Sequence, residues 1–572
     1  MKTSTFSILT VLIISLSFST QAQDLQWAKQ LGGGTMDEAR SIAIDDAGNV
    51  YSTGKFGATA DFDPGVGVYN LTAAGGSFAG YEIFVSKLDS SGNFVWAKQM
   101  GGADGEVGQA ITLDDSGNVI IAGQFAATSD FDPGPDTFNL TVTGYIDLFI
   151  SKLDSSGNFI WAKQIGSNDF DVATSVVTDA SGNIYVAGYF DETADFDPNA
   201  GTFNLTSAGG SDIFILKLDA AGNFVWVKQI GGSSIDECLS LAIDGSGNLY
   251  TSGKFSGTVD FDSGAGTFNL VSSASSGMFI SKLDTTGNFV WAKTIGSNSF
   301  DKANSIATDA FGNVYTTGSF RANAFGANSD FDPGVDTFNL TPVGDDDIFI
   351  SKLDANGNFV WAKQIGGTLD DEATCISLDA SGNVYTTGGF ISTVDFDPNS
   401  GISNLTASSI DVFILTLDTA GNFVWAKQIG GSSACLGYTI AIDAPGNIYT
   451  AGSFAGTADF DPVSGPLNLT TAGGNDIFIT KHGAGTFTGI SEALLKNDII
   501  VYPNPTTDFI TVRNSSDKNI TTTIFEISGR MIYTMNILNG ETTISMKEFS
   551  KGVYIMYLND GKNASRMKII KE

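Results

Sequence analysis

The chain has 572 residues, enough for three or four domains of average size. Asp and Glu number 63 against 29 Lys and Arg, which gives a net charge of −34 at pH 7. Nucleic acid is therefore not expected as a partner, because phosphate binding needs a basic surface. Only three cysteines occur, Cys238, Cys375 and Cys435, and their spacing shows no disulfide framework.

The N-terminus has the pattern of a secretory signal peptide, which we assign to residues 1–22. Lys2 precedes an apolar run over residues 6–18, and small residues lead up to Ala22. This run is too short to span a bilayer, and no later stretch reaches the roughly 20 apolar residues that a spanning helix needs. The sequence therefore predicts an exported protein without a membrane helix.

Internal repetition dominates residues 23–482. All tryptophans lie in close copies of the stretch at residues 353–364, at spacings of 69, 65, 65, 65, 70 and 64 residues. They are Trp27, Trp96, Trp161, Trp226, Trp291, Trp361 and Trp425. A fixed period of this length indicates one supersecondary unit that is repeated along the chain.

Each repeat offers four strand candidates and no sustained helical periodicity. In one repeat they cover residues 373–379, 383–390, 411–418 and 422–428, all rich in β-branched and aromatic residues. An Asp-x-x-Gly-Asn sequence, as at Asp379, joins the first candidate to the second and the third to the fourth. Asp accepts hydrogen bonds from the amides ahead of it and Gly supplies a positive φ, so these turns predict hairpins rather than calcium loops.

Four-stranded antiparallel units repeated around an axis form a β-propeller. We predict an all-β fold, namely a seven-bladed β-propeller over residues 23–482 followed by a small C-terminal β-sandwich. Residues 25–30 repeat the fourth-strand motif without three strands before it, and residues 476–481 repeat the third-strand motif without a fourth after it. If these segments pair, the N-terminal strand closes the last blade and removes an exposed edge.

The tryptophans stand between other apolar residues of the fourth strand, as expected for a sheet packed between two neighbours. We interpret them as packing anchors between blades. The alternative is a row of aromatic platforms for sugars, which requires rings that face solvent.

The repeats resemble the bacterial SBBP β-propeller repeats. The matching segments are Gly-Asn-Val-Tyr-Thr-Thr-Gly-x-Phe at residues 382–390, the Asp-Phe-Asp-Pro that follows, and their equivalents over roughly residues 23–482. The resemblance implies a propeller fold and a secreted protein, and it brings no established shared activity. Blades of about 65 residues exceed the usual length of about 40–45 because a long connection separates the second and third strands.

That long connection contains Asp-Phe-Asp in every repeat, on the face of a propeller where the blade-to-blade links also emerge. Closely spaced carboxylates could bind a hard cation such as Ca²⁺. Alternatively, Asp and Pro only shape a turn and the Phe fills the core. The Asn-Leu-Thr that follows in most copies is interpreted as a strand motif rather than a glycosylation site. The candidate calcium ligands are Asp61, Asp63, Asp130, Asp132, Asp195, Asp197, Asp260, Asp262, Asp330, Asp332, Asp395, Asp397, Asp459 and Asp461.

The repeat stops near residue 482, and we predict a linker at residues 483–497 and a separate domain at residues 498–572. Short strand candidates within this domain have the pattern of a small β-sandwich. Its motifs are Tyr-Pro-Asn-Pro at residues 502–505, Ser-Gly-Arg at 528–530, Lys-Gly-Val-Tyr at 551–554 and a basic end at 567–571.

In their identity and order these motifs resemble the type A C-terminal sorting domain of the type IX secretion (Por) system. The resemblance covers the whole tail. It implies a Bacteroidetes-type cell, recognition by the type IX secretion machinery, and passage through the periplasm and across the outer membrane. It also implies removal of the tail, with release of the protein or its attachment to the outer surface.

No catalytic motif emerges from the sequence. The sole histidine, His482, has no counterpart in other repeats, and no nucleophile elbow, Walker loop or zinc spacing occurs. The insertion at residues 321–328 is the most irregular copy and the first place to look for a specialised site. We expect a monomeric, non-enzymatic binding or adhesion platform for an extracellular polysaccharide or protein, with no cofactor other than calcium. The alternative is a polysaccharide-active hydrolase or lyase that uses the acidic loop residues.

Overall fold

The structure is a computed structural model. It describes residues 24–75, 80–296, 301–321, 329–462, 465–483, 499–502, 506–515, 520–526, 531–547, 549–559 and 564–571. These residues divide into two compact units, one that ends at residue 483 and one that begins at residue 499. The predicted signal peptide, most of the insertion at residues 321–328 and most of the linker lie outside the described residues. All regular elements in the described ranges are β-strands, so the predicted all-β class is confirmed.

The larger unit contains seven sets of four antiparallel strands, in which each strand pairs with the next. The first strands are β2 (Glu38–Ile44), β8 (Val107–Leu113), β14 (Asp171–Thr178), β20 (Glu237–Ile243), β24 (Lys302–Thr308), β30 (Glu372–Leu378) and β34 (Cys435–Ile442). The second strands are β3 (Val50–Gly57), β9 (Val119–Phe125), β15 (Ile184–Phe190), β21 (Leu249–Asp260), β25 (Val314–Arg321), β31 (Val384–Asp395) and β35 (Ile448–Asp459).

The third strands are β6 (Tyr81–Leu88), β12 (Asp147–Leu153), β18 (Asp212–Leu218), β22 (Asn269–Leu283), β28 (Asp346–Leu353), β32 (Asn404–Leu417) and β36 (Asn468–His482). The fourth strands are β7 (Phe94–Met100), β13 (Phe159–Ile165), β19 (Phe224–Ile230), β23 (Phe289–Ile295), β29 (Phe359–Ile365), β33 (Phe423–Gly431) and, for the last set, β1 (Leu25–Gly33).

A small hairpin interrupts the connection between the second and third strands. It is separate in four sets, as β4 (Thr59–Asp61) with β5 (Asn70–Thr72), β10 (Thr128–Asp130) with β11 (Asn139–Thr141), β16 (Thr193–Asp195) with β17 (Asn204–Thr206), and β26 (Ser329–Asp330) with β27 (Asn339–Leu340). In the other three sets it is continuous with the long strands on either side. The Asn-Leu-Thr sequence forms the returning strand, as the sequence predicted.

The Asp-x-x-Gly-Asn turns are hairpins, as predicted. Asp379 Oδ1 accepts hydrogen bonds from the amides of Ser381 (2.8 Å) and Asn383 (2.9 Å), and Oδ2 accepts one from Asn383 Nδ2 (2.7 Å). Gly382 has a φ of +80°, a conformation that other residues adopt at a cost. The same bonds recur at the other tight turns, for example at Asp418.

The N-terminal strand completes the last set. β1 pairs antiparallel with β36, with Ala28 opposite Thr480 and Gln30 opposite Phe478. The prediction of this pairing is confirmed, and it covers the edge that β36 would otherwise expose.

The first strands of the sets contact one another in a circuit. β2 contacts β8, and the contacts continue through β14, β20, β24 and β30 to β34, which in turn contacts β2. These strands therefore line the innermost part of the larger unit, and each fourth strand lies outermost in its set.

The tryptophans connect neighbouring sets, in agreement with their predicted role. Trp96 packs edge-on against Tyr51 of its own set, with ring centroids 6.1 Å apart, and its indole Nε1 donates to the Ser155 carbonyl of the next set (3.3 Å). Trp361 bonds to Thr419 in the same way. The glycine of the next set's turn lies against the indole, since a Cβ on Gly421 would come within 3.1 Å of the Trp361 ring.

The smaller unit consists of two antiparallel sheets. Its strands are β37 (Ile499–Tyr502), β38 (Phe509–Asn514), β39 (Ile520–Glu526), β40 (Met531–Ile537), β41 (Gly540–Ser545), β42 (Gly552–Asn559) and β43 (Ala564–Lys571). One sheet has the order β37-β38-β41 and the other β40-β39-β42-β43. Both contribute to one hydrophobic cluster, with Ile510 and Ile544 from the first and Ile524 and Met556 from the second. Residues 503–505 and 528–530 of the sorting motifs lie outside the described residues.

Candidate functional site

The predicted acid pairs lie in the small hairpins, where their carboxylates fold the chain locally. Asp61 Oδ1 accepts hydrogen bonds from the amides of Asp63 (3.0 Å) and Tyr69 (2.8 Å), so it closes the loop. The first Asp does the same in all other copies. Asp63 Oδ1 accepts from the Gly65 amide (2.8 Å) and caps the following turn. These bonds support the turn interpretation of the motif.

The phenylalanine between the two acids is a core residue. Phe62 is fully buried and packs against Phe56 and Phe84, with ring centroids 5.5 and 5.0 Å apart. Burial of such a side chain contributes about 1.5–3 kcal/mol, so the motif fastens the loop to its own set of strands.

The same hairpin also fastens each set to the one before it. Asp61 pairs through its backbone with Gly32 at the end of the preceding fourth strand. Equivalent bridges join Gly101 to Asp130 and Gly231 to Asp260. In the described part of the chain, no group of three or more His, Cys, Asp or Glu side chains is arranged to hold a metal ion. The calcium role of the fourteen residues stays a prediction.

A second group of acids is buried between the sets. At five of the seven boundaries between sets, one acid lies just before a first strand or at its start, another lies in the third strand of the preceding set, and both are at most 2% exposed. The five pairs, which we call the paired junctions, are Asp476 with Asp37, Glu82 with Glu106, Asp147 with Asp171, Asp212 with Asp236, and Asp347 with Asp371. An Asp or Glu just before the first strand, or as its first residue, recurs in six of the seven sets and was the available signal.

Burial dominates the electrostatics of the paired junctions. Burial and, to a smaller extent, the second carboxylate of each pair raise the pKa of Glu106 to about 8 and the pKa of Asp37 to about 7. Burial also raises the pKa of Asp171 to about 7 and of Asp236 to about 6. Hydrogen bonds from backbone amides oppose these shifts without cancelling them.

Side chains that differ between repeats gather on the innermost strands. At one fixed position of the first strand, which we call the inner position, the successive sets carry different half-buried residues. They are Arg40, Gln109, Thr174, Leu239, Asn304, Thr374 and Tyr438. This position breaks the repeat symmetry that the scaffold otherwise keeps, and sequence reasoning, which looked to residues 321–328, missed it.

The inner positions of the last and first sets form a compact polar cluster. The Arg40 guanidinium lies over the Tyr438 ring, 4.5 Å from its centroid. Arg40 and Lys55 both form ion pairs with the buried Glu38, and the Lys55 ammonium lies 4.6 Å from the Tyr81 centroid. An arginine, two tyrosines and a carboxylate together offer hydrogen bonds, charge and ring faces to a ligand.

A groove of about 390 Å³ runs between the fifth and sixth sets on the outer side. Lys363, Asp395, Asp397 and Asn399 line it together with apolar residues such as Phe338. Lys363 Nζ donates to Asn399 Oδ1 at 2.9 Å, and the equivalent Lys163 Nζ donates to Asn199 Oδ1 at 2.7 Å. The groove contains one predicted acid pair, Asp395 and Asp397.

The structure shows the contacts of two other positions that the sequence analysis singled out. His482 is 1% exposed, and its Nδ1 lies 3.5 Å from Lys427 Nζ. Arg321, at the start of the insertion, pairs with Asp346 and with Asp370. Residues 322–328 lie outside the described residues, so the specialised site predicted there stays a prediction.

Family models match both parts of the chain. Residues 500–572 match the secretion system C-terminal sorting domain. Residues 26–55, 160–189, 225–254 and 424–453 match the β-propeller repeat. Both resemblances found in the sequence are thereby confirmed. In the described part of the chain, no helix is long and apolar enough to cross a membrane.

Two curated proteins are similar to parts of this chain. One is an uncharacterized WD repeat-containing protein, L264, of Acanthamoeba polyphaga mimivirus, which is 24% identical in an alignment 443 residues long that covers 64% of this chain and 32% of that protein. The other is the regulatory protein FlaEY of Caulobacter vibrioides, which is 26% identical in an alignment 239 residues long that covers 40% of this chain and 24% of that protein. The chain thus spans a third or less of the length of these relatives.

Solved structures are less similar. PorZ, described as an essential bacterial surface component of the type IX secretion system of Porphyromonas gingivalis, is 11% identical, with 95% of this chain and all of that chain covered and a TM-score of 0.17. The dihydro-heme d1 dehydrogenase NirN is 9% identical, with 81% and 73% covered and a TM-score of 0.31. TM-scores of this size do not establish a common fold.

Proposed function

We propose that this exported protein, whose body is built from β-propeller repeats and whose tail is a type IX sorting domain, works outside the cell as a binding platform. The sorting domain interacts with the type IX secretion machinery and directs the chain to secretion or to the outer surface. The body is a closed propeller of seven blades, and the tail is a small β-sandwich. The circuit of first strands and the pairing of β1 with β36 support the closed ring.

The observation that carries the binding role is the position of the variable side chains. Repeated residues such as Asp61, Phe62 and Trp96 are engaged in the scaffold itself. The residues at the inner position differ from set to set, and they line the innermost strands, where a ligand can reach several blades at once. We place the ligand site at the cluster of Glu38, Arg40 and Tyr438.

The proposed role is non-enzymatic. Catalysis by paired carboxylates needs one acid and one base that act on the same bond and differ in environment. The acid pairs of the hairpins repeat with nearly the same bonds in every set, which argues for a scaffold role. The ligand is an extracellular polysaccharide or protein, and the protein acts as a monomer.

An array of polysaccharides and outer-surface proteins, probed with the full chain, tests this proposal. We expect a bound component whose affinity falls at least tenfold, or about 1.4 kcal/mol, in Arg40→Ala and Tyr438→Ala. Leu239→Ala is the matched control, because it changes the same inner position in the fourth set, which two other sets separate from the first and from the last. Binding that survives both substitutions would contradict the site. New reducing ends or unsaturated sugars would contradict the non-enzymatic role.

A further inference from the structure

At two of the paired junctions, one glycine lies against both acids, and at the other three the two acids interact electrostatically. A Cβ on Gly32 would lie 2.8 Å from Asp476 Oδ1 and 2.9 Å from Asp37 Oδ2, so both carboxyl groups border the space that this glycine leaves open. At the next junction, a Cβ on Gly101 would lie 2.8 Å from Glu82 Cγ and 3.0 Å from Glu106 Oε2. The two acids of each pair come from neighbouring sets, so the contact crosses the boundary between them.

Each pair retains an oxygen without a hydrogen-bond donor. Asp37 accepts from the amides of Gly33 (2.7 Å) and Gly57 (3.0 Å), and Asp476 Oδ2 accepts from Gln30 Nε2 (2.6 Å). Among the described residues, Asp476 Oδ1 has no partner, and the same is true of Asp147 Oδ1, Asp212 Oδ1, Asp347 Oδ1 and Glu106 Oε2. A fully buried acceptor without a donor costs about 1–3 kcal/mol unless something fills the gap.

The missing partner must be positive or must donate a hydrogen bond. Two carboxylates buried side by side repel each other and cannot both stay ionised, so either a cation lies between them or one of them is protonated. Ca²⁺ needs six or more oxygen ligands. In the described part of the chain, no junction acid belongs to a group of three or more acidic, His or Cys side chains that could hold a metal ion. A proton satisfies both carboxyl groups with a single hydrogen bond.

We propose that each paired junction shares one proton between its two carboxyl groups, and that these protons hold neighbouring blades together. The bond is O–H···O⁻ between the two acids, and no other bond forms or breaks. Loss of the proton leaves two buried negative charges facing each other across the blade boundary. The ring is therefore a pH-sensitive assembly that loosens as its junctions deprotonate.

Two junctions lack this pair and serve as internal references. Beside Gly296, Asp301 faces the Met278 side chain, because no acid begins that third strand. Asp411 faces Cys435, whose thiol replaces the acid before the first strand. The proposal concerns only the five junctions with two acids.

The sign of the effect follows from proton counting. The folded protein holds these protons to a pH of about 6–8, whereas Asp and Glu in an unfolded chain lose theirs near pH 4. Between these limits the folded state binds more protons, so stability falls as pH rises through this window. Each paired junction contributes about one proton to the difference in bound protons that sets the slope of stability against pH.

Glu106→Gln at the second junction is the most direct test. Its amide can replace the Oε2 hydroxyl and donate to Glu82, while its carbonyl keeps the bond from Ser129 Oγ (2.9 Å). The charged group found beside this pair is Asp104, on the link before β8. Asp104→Asn is therefore the matched control. Asp104 is exposed, and its substitution removes one negative charge that lies near the pair but is not part of it.

Unfolding of the full chain is followed from about pH 5.5 to about pH 8.5, and the slope of stability against pH gives the proton count. We expect the wild type and Asp104→Asn to lose stability equally as pH rises. The slope for Glu106→Gln should correspond to about one proton fewer than the slope for the wild type. Glu106→Gln should also be more stable than the wild type at the alkaline end of this pH range. An unchanged slope in Glu106→Gln would overturn the proposal.

Two further measurements separate a proton from a metal ion. If Ca²⁺ raises the melting temperature of the wild type at alkaline pH and Glu106→Gln abolishes that rise, a cation fills the junction and the proposal is overturned. Should Glu106→Gln fold poorly, Glu82→Gln replaces the other member of the pair and must give the same reduced slope. Infrared spectra of the folded protein at neutral pH should show the carbonyl band of protonated carboxyl groups, which ionised pairs lack.

Discussion

The indole Nε1 of Trp27 donates a hydrogen bond to the carbonyl oxygen of Ser90, at 3.3 Å, across the boundary between the last and the first set of strands. The two residues are 63 positions apart, and the contact repeats the one that Trp96 makes with Ser155. The N-terminal strand thus behaves as the fourth strand of the last set in its contacts as well as in its sequence.

Ring closure leads to the first prediction. Deletion of residues 23–32 removes β1 and exposes the edge of β36, so we expect a lower melting temperature and a larger fraction of aggregated protein. Leu31→Ala is a milder version, because Leu31 is 1% exposed, and it should cost about 2–5 kcal/mol. Gln26→Ala, a change at an exposed position of the same strand, is the control. Unchanged stability and monomer fraction after the deletion would contradict closure by β1.

The second prediction concerns the tail. The two compact units separate at residue 484, so a chain that ends at Gly483 should unfold at the same temperature as the larger unit of the full protein. In the native host, the shortened chain should accumulate inside the cell envelope because it lacks the sorting domain. Fractionation of the cells measures this. Normal delivery of the shortened chain to the surface would contradict the role of the tail.

The third prediction concerns one tight turn. Asp114 and Lys152 form an ion pair of 2.9 Å whose side chains are less than 10% exposed, and Lys152 Nζ also donates to the Ala220 carbonyl of the next set (3.1 Å). Burial tends to raise the pKa of Asp114, but the bonds from Asn118 and Lys152 outweigh it, and the pKa lies below its usual value.

Asp114→Asn should therefore destabilise the protein at neutral pH, by up to about 3–5 kcal/mol, because Lys152 loses its buried counter-ion. Since the folded pKa of Asp114 is lowered, this stabilisation is present above pH 4 and is lost as pH falls further. The difference between variant and wild type should shrink toward pH 3 or below in melting curves. Asp115→Asn, at the exposed neighbouring position, should have little effect.

Much of the fold could be predicted because it depends on local chemistry. The Asp and Gly of each tight turn have one geometry that satisfies them, and Asp379 adopts it. The strand candidates follow from alternation, and the period of the tryptophans indicates repetition. The unpaired motifs at residues 25–30 and 476–481 even predict the closing strand pair.

The candidate sites were harder to predict because they depend on contacts between repeats. Asp371 stands beside Asp370 in an acidic segment, and sequence alone does not show that one is buried and the other exposed. Its partner, Asp347, lies in the preceding set. The inner positions differ from repeat to repeat, so a search for repeated motifs passes over them. Arg40 and Tyr438 meet only because the ring brings the first and last sets together.

The fourth prediction tests calcium binding by the hairpin acids, an idea that rests on their repetition. Two carboxylates about 4 Å apart repel each other by about 4 kcal/mol at an effective dielectric near 20, and a divalent cation would relieve this. The bonds that fold the sixth loop use Oδ1 of Asp395 and Oδ1 of Asp397, so a cation would bind the Oδ2 atoms. Millimolar Ca²⁺ should raise the melting temperature more than sodium at equal ionic strength does.

Substitutions at one loop distinguish the role of the carboxylate charges in calcium binding from the role of the carboxylate oxygens in folding the loop. Asp395→Asn with Asp397→Asn keeps the accepting oxygens while it removes both charges, so it should abolish one loop's share of the calcium effect and leave the rest. Asp395→Ala also removes the acceptor for the amides of Asp397 and Ser403, so it should destabilise the loop with or without Ca²⁺ by about 1–3 kcal/mol. If Ca²⁺ and a chelator give the same melting curve at matched ionic strength, the motif is a turn that binds no calcium.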